Sequence, residues 1–235
     1  MLKALKKTII RPDKSIGLDQ ETEKEHVSIL MNKKRQEILQ FIFKYPCIHL
    51  HGIARNFGFS INATRWHLRK LMDMGYLNEY KFSNRKVYYP NNSLRELDIQ
   101  ILGLLNDKKI GTLFILIYRT PGIIQRELCN RLGEKQSTIV DRLNQLDRFK
   151  LIYSVKDGLY RRYYPTQMIN SREKLNRKPL KKYRQFLLLI LEQDGVEPEI
   201  LRTTDKNFHI QIRSGNGTSD LIFYFNPYDR FLSQA

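Results

Sequence analysis

The chain has 235 residues, with 41 Lys and Arg against 24 Asp and Glu, and a formal net charge of +17. Such an excess repels itself unless a polyanion neutralises it, so nucleic acid is the first expected partner and an anionic membrane surface the second. Two cysteines, Cys47 and Cys129, argue against a disulfide framework, and the longest apolar run, Phe186 to Leu191, is far too short to cross a bilayer.

The charge is unevenly placed. Residues 33–90 carry 11 basic and 3 acidic side chains and residues 108–165 carry 12 and 5, whereas residues 166–235 carry 11 and 8. The excess therefore belongs to two globular-looking stretches, which disfavours a polybasic membrane anchor. The beginning of the chain lacks the apolar core of a signal peptide, so the expected address is the cytoplasm with no membrane partner.

In chain order, residues 1–31 are mixed in charge, without clear periodicity, and read as an N-terminal arm. Residues 32–92 read as a first domain. A helix over Lys33 to Lys44 stops before Pro46, a short helix from near His51 to Phe57 closes at Gly58, and a third spans Ile61 to Met74. Two strand-like runs, Tyr76 to Phe82 and Arg85 to Pro90, flank Ser83-Asn84. Helix, short helix, turn, helix, hairpin is the order of a winged helix-turn-helix.

Residues 93–109 read as a linker helix over Leu94 to Leu105, with Leu97, Ile101 and Leu104 or Leu105 on one stripe. Residues 110–168 then repeat the first domain. A shift of 75 residues, without a gap, lays Pro46 on Pro121, Gly58 on Gly133, Leu68 on Leu143, Leu71 on Leu146 and Tyr88-Tyr89-Pro90 on Tyr163-Tyr164-Pro165. Here Asp157-Gly158 supplies the hairpin turn. A helical solenoid is disfavoured, because each unit ends in a hairpin and only two copies occur. A packed linker makes the pair a pseudo-dimer whose third helices meet successive major grooves about 34 Å apart.

Residues 169–235 begin with a basic hinge, Asn176 to Lys182, followed by an apolar helix over Tyr183 to Gln193. Phe208 to Arg213 alternates cleanly, Ser214-Gly-Asn-Gly turns, and Leu221 to Phe225 resumes as a strand that reads as apolar on both faces. A two-sided apolar strand suggests self-association or an effector, and simple packing on the other domains is equally open. The fold class is thus α+β, mainly helical: two tandem winged helix-turn-helix domains followed by a small helix-plus-β-hairpin domain. A homodimer through the C-terminal domain or the linker helix is a candidate assembly.

At ~100° per residue, the third helix of the first unit divides into faces. Thr64, Leu68 and Leu71 form the core side; Asn62, Trp66, Arg69 and Asp73 lie opposite, with Arg65 and Lys70 at the edges. Arg suits guanine O6 and N7 and Asn suits adenine, so this exposed face fits a major groove. Trp66 is open to groove contact or to packing on a neighbouring helix. Ser60 precedes the helix, and Asn84, Arg85 and Lys86 sit on the wing, placed for backbone or minor-groove contact. The second unit offers Gln136, Ser137 and Asn144 on its third helix and Arg161 and Arg162 on its wing, but Asp141 faces phosphate poorly.

The stretch from Phe59 to Leu77, with Thr64-Arg-Trp-His-Leu-Arg-Lys-Leu at its centre, resembles the recognition segment of ArsR- and MarR-like winged helices, especially archaeal regulators with two such domains. Thr64 stands where that motif usually has Val. The resemblance covers about residues 33–165 and implies promoter binding, with Asn62, Arg65, Trp66 and Arg69 at the groove. The second unit departs further, and both base reading and dimerisation are open for it.

Cys47, His49 and His51 alternate in a way that shares one strand face, but the second copy has Gly122, Ile124 and Arg126 there, so no metal or cofactor is expected. No phosphate loop, paired-His motif or nucleophile elbow is present, so no catalytic residue and no enzyme are expected. The leading partner is double-stranded DNA, bound sequence-specifically to regulate transcription. The alternatives are an RNA-binding protein, for which Tyr80, Phe82 and Tyr88 are the candidate stacking residues, and a winged-helix protein-protein interaction module.

Overall fold

The computed structural model describes residues 28–177, 180–215 and 217–232. Helix α1 (Lys33–Lys44) starts at Asn32, whose side chain accepts the Arg35 N–H, and buries Ile38, Leu39, Ile42 and Phe43 at helical spacing. Strand β1 (Ile48–His49), α2 (Leu50–Phe57), α3 (Ile61–Asp73), β2 (Leu77–Phe82) and β3 (Arg85–Pro90) follow, the strands forming an antiparallel sheet in the order β1-β3-β2.

Helix α4 (Glu96–Leu105) leads into α5 (Lys108–Arg119), β4 (Ile123–Ile124), α6 (Gln125–Leu132), α7 (Gln136–Arg148), β5 (Ile152–Asp157) and β6 (Tyr160–Pro165). Each bound from α5 to β6 is the matching bound from α1 to β3 displaced by 75 residues, and the sheet order β4-β6-β5 is the same. The left-handed backbone positions recur too. Cys47 pairs with Gly122, Gly58 with Gly133, Gly75 with Lys150 and Ser83 with Gly158, all at positive φ. Three of these four pairs have glycine in only one copy. The backbone conformation thus repeats even where the residues do not.

The C-terminal part contains α8 (Met168–Arg177), α9 (Leu180–Gln193), β7 (Glu197–Thr203), β8 (Asn207–Ser214), β9 (Gly217–Tyr224) and α10 (Asp229–Leu232). Its sheet has three strands in the order β7-β8-β9, which corrects the expected hairpin. Strand β7 escapes a pattern search because it is an edge strand, carries Pro198, and exposes nearly every side chain. The two faces of β9 are covered unequally. Leu221 and Phe223 are buried, while Tyr224 is exposed and Ile222 shares its face with His209 and Arg202. The buried face is occupied within the chain: Phe223 packs 4.5 Å from Phe43, and Gln40 Oε1 accepts the Ile222 N–H at the sheet edge.

Two apolar clusters organise the molecule, and the β1-β3-β2 sheet stands between them. Tyr88 and Leu77 join α1, α3, α9 and the inner face of β8 and β9. Val87, Tyr89 and Cys47 join α4, the second unit and the tail residues Tyr228 and Phe231. Helix α4 is buried nearly all round: Ile99, Ile101, Leu102, Leu104 and Leu105 are covered, whereas Leu97, expected on the core stripe, is exposed. On one side of α4, Phe82 of the wing packs so closely on Gly103 that an added Cβ would lie 3.2 Å from its ring.

Two buried carboxylates tie the parts together. Asp194 accepts hydrogen bonds from Ser28 Oγ (2.7 Å), the Ile29 and Leu30 N–H groups (3.0 and 3.1 Å) and Tyr76 Oη (3.0 Å). These contacts fix the short 3-10 turn Ile29–Met31, the end of the expected arm; residues 1–27 of that arm lie outside the described residues. Asp98 of α4 accepts from Arg172 Nε (2.7 Å) and Tyr228 Oη (2.6 Å). Among the described residues, no helix is long and apolar enough to cross a membrane.

Candidate nucleic-acid interface

Helix α3 is held by its ends and by one face. Gly58 closes α2 in the left-handed region at φ 66°, and Ser60 opens α3 by accepting the Ala63 N–H at 3.1 Å. The Ser60 oxygen is thus already used as a cap, although the residue is exposed as expected. Thr64, His67, Leu68 and Leu71 point inward. Asn62, Arg65, Trp66, Arg69 and Lys70 are exposed, as the helical count predicts. Asn62 Oδ1 accepts from Arg65 Nη1 at 3.1 Å, which orients that guanidinium at the surface.

Between α3 and the hairpin runs an open groove of ≈ 1000 Å³. Arg65 and Arg69 of α3, Arg85 and Lys86 of β3 and Arg55 of α2 line it, with Asn84 at the wing. Glu79 and Asp73 are the acids there, and Glu79 is engaged by Lys86 at 2.5 Å. Five cations against two acids leave the groove net positive, and His49 is affected by it. Burial first, then Arg85 and Arg55, push its imidazole below the ordinary value, against a smaller opposing effect of Asp107. Its Nδ1 accepts the Gly52 N–H at 3.0 Å, so the neutral ring also caps α2.

Five of the expected residues, Arg65, Arg69, Asn84, Arg85 and Lys86, converge on this groove, and Asn62 reaches it through Arg65. Trp66 and Lys70 lie on the flank of α3 beyond it. Trp66 is half exposed, with the Arg35 guanidinium 5.5 Å from its ring and the His67 ring 4.9 Å away. Arg55 and His51 were missed by sequence reasoning. An Arg and a His four residues apart on the helix before the recognition helix were the available signal.

The corresponding groove of the second unit is smaller, ≈ 300 Å³, and nearly uncharged. Asn144 and Arg161 line it beside Asp147, and Val140 stands where the first unit has Arg65. Gln136 and Ser137 are exposed on the first turn of α7, outside the groove lining. Arg162 is spent internally, donating to Asp157 Oδ2 at 2.5 Å and to the Gly122 carbonyl at 3.1 Å.

The stacking residues of the RNA alternative are engaged within the fold. Tyr88 is buried, Tyr80 donates to Glu96 Oε1, and Phe82 sits between Gly103 and Phe149. Cys47 is fully buried, with burial pushing its thiol far up, and it faces the cluster opposite the groove. Among the described residues, no three His, Cys, Asp or Glu side chains are grouped to hold a metal ion.

Residues 31–78 match a family model described as winged helix-turn-helix DNA-binding. The first unit is a winged helix-turn-helix. A protein of Methanocaldococcus jannaschii described as an uncharacterized HTH-type transcriptional regulator is 27% identical over 141 residues, which is 60% of this chain and 35% of the relative. The chain therefore spans about a third of that relative's length. Among solved structures, MarR aligns at 23% identity over 42% of this chain and 73% of its own, with a TM-score of 0.29. PcaV from Streptomyces coelicolor aligns at 20% over 37% and 63%, with a TM-score of 0.25. Superpositions this loose carry no weight for function.

Proposed function

We propose that this chain is a double-stranded DNA-binding regulator of transcription with two tandem winged helix-turn-helix domains, and that the first does the reading. Arg65 and Arg69 of α3 enter the major groove with Asn62 and Trp66 beside them, and Arg55, Arg85 and Lys86 grip the flanking phosphates. The observation that carries this reading is the cluster of five Lys and Arg side chains in one groove of a winged helix. The second domain serves as a platform. It shares a core with α4 and the outer face of the first sheet, so it sets the angle of the first wing. We assign no catalytic role to any residue.

The test is fluorescence anisotropy of the full chain with random duplex DNA, single-stranded DNA and structured RNA across a salt series. Micromolar or tighter duplex binding that weakens steeply with salt supports the reading, and selection of an operator from random duplexes then tests its sequence specificity. Equal or tighter binding of structured RNA, or no preference for duplex at low salt, overturns it.

A further inference from the structure

A cavity of ≈ 300 Å³ lies at the seam between the first unit and the C-terminal part. Five aromatic side chains stand in its walls, with Pro46, Leu94 and Pro227 adding apolar surface. Phe43 comes from α1, while Tyr183, Phe186, Tyr224 and Phe225 come from α9 and the end of β9. An apolar, aromatic lining with a few polar groups is the composition of small-molecule sites, and the volume lies at their lower end.

Two features separate this cavity from a packing gap. Tyr183 is only 7% exposed, yet its hydroxyl has no hydrogen-bond partner among the described residues. That oxygen is not among the fully enclosed polar atoms, so it has open space beside it, and burial of the ring keeps it protonated and able to donate. The charge at the rim is also of one sign. Lys182 is exposed on the lining, Lys44 Nζ lies 5.8 Å from the Tyr224 ring, and among the described residues no Asp or Glu belongs to the lining.

We propose that this cavity binds a small amphiphilic monocarboxylate, its apolar end among Phe43, Phe186 and Phe225 and its acid group at the Lys182 rim. Tyr183 supplies a hydrogen bond inside the apolar wall. Such a ligand touches α1 of the DNA-reading unit and the C-terminal part at once, so it fastens one to the other. This inference does not depend on the DNA-binding reading, because the ligand is measured without DNA.

The experiment uses the full chain with a panel of 4-phenylbutyrate, octanoate and decanoate, and with 4-phenylbutanol and octanol as uncharged counterparts, followed by calorimetric titration and thermal unfolding. At least one acid is expected to bind saturably with a Kd below about 1 mM, more tightly than its alcohol, and to raise the unfolding temperature. Tyr183→Phe is expected to weaken that acid roughly fivefold to tenfold. Lys182→Gln, at an exposed position that leaves the fold intact, is expected to erase the preference for acid over alcohol. Absence of saturable binding by every acid, equal binding of acid and alcohol by the unaltered protein, or an acid preference that survives Lys182→Gln overturns the proposal.

Discussion

The two units, from α1 to β3 and from α5 to β6, share every element bound at a spacing of 75 residues, yet their grooves differ in net charge and size. The first is lined by Arg55, Arg65, Arg69, Arg85 and Lys86; at the same offsets the second has Asn130, Val140, Asn144, Tyr160 and Arg161. Their sheets differ as well. In the first unit Val87 and Tyr89 are covered by α4 and the second unit, whereas Tyr153 and Val155 on the equivalent face of the second are about half exposed. A repeated backbone needs the same core and the same left-handed turns, but nothing in folding requires the same surface charge. In the proposed function, the side chains grafted onto one copy carry the reading.

The largest expected effect concerns the seam that only the first unit has with the C-terminal sheet. Asp194→Ala strands Ser28, Tyr76 and two backbone N–H groups, and is expected to cost about 3–5 kcal/mol, lowering the unfolding temperature by on the order of 10 °C. Leu159→Ser, at the almost fully exposed tip of the second hairpin, is expected to shift stability by less than about 0.5 kcal/mol. Calorimetry on the two variants checks the pair.

Next is the groove itself. Arg65→Ala with Arg69→Ala is expected to weaken duplex binding on the order of 100-fold, at roughly 1–3 kcal/mol per base-reading contact. Asn144→Ala in the second groove is expected to weaken it by less than about threefold if that groove makes no base contact. A smaller distinction lies in the salt dependence. Arg85→Ala is expected to lower the slope of log K against log salt by about 1, while Arg162→Ala, whose guanidinium is already tied to Asp157 and Gly122, leaves the slope unchanged.

The smallest effect is a pH dependence confined to the first unit. The folded state holds His49 below its ordinary pKa of 6.5, so on acidification the unfolded chain takes up a proton that the fold refuses, and stability falls. His49→Asn keeps a capping oxygen for Gly52 without titrating. The unaltered protein is therefore expected to lose stability relative to this variant as pH drops below about 6.5. The second unit has Ile124 at that position and contributes nothing comparable.

The repeat was legible because its core positions recur without a gap, and the face of α3 was legible because Thr64, Leu68 and Leu71 are spaced for one side of a helix. Strand β7 was not, since an edge strand exposed on both faces has no alternation to find. Helix α8 was missed for a related reason: its sequence, Met-Ile-Asn-Ser-Arg-Glu-Lys, is mostly polar. In the candidate interface, the residues of α3 and the wing could be read from sequence. Arg55 could not be assigned to the groove, nor Arg162 removed from it, because both depend on where α2 and the Gly122 carbonyl lie in space.

The central claim is that duplex DNA is held by the first unit and not by the second. It is tested most directly by placing a photo-crosslinking side chain at Asn62 or, in a separate variant, at the equivalent Ser137, and irradiating each full chain bound to duplex. Crosslinking from position 62 with little or none from position 137 is the expected result. Equal crosslinking from both positions, or crosslinking from 137 alone, contradicts it.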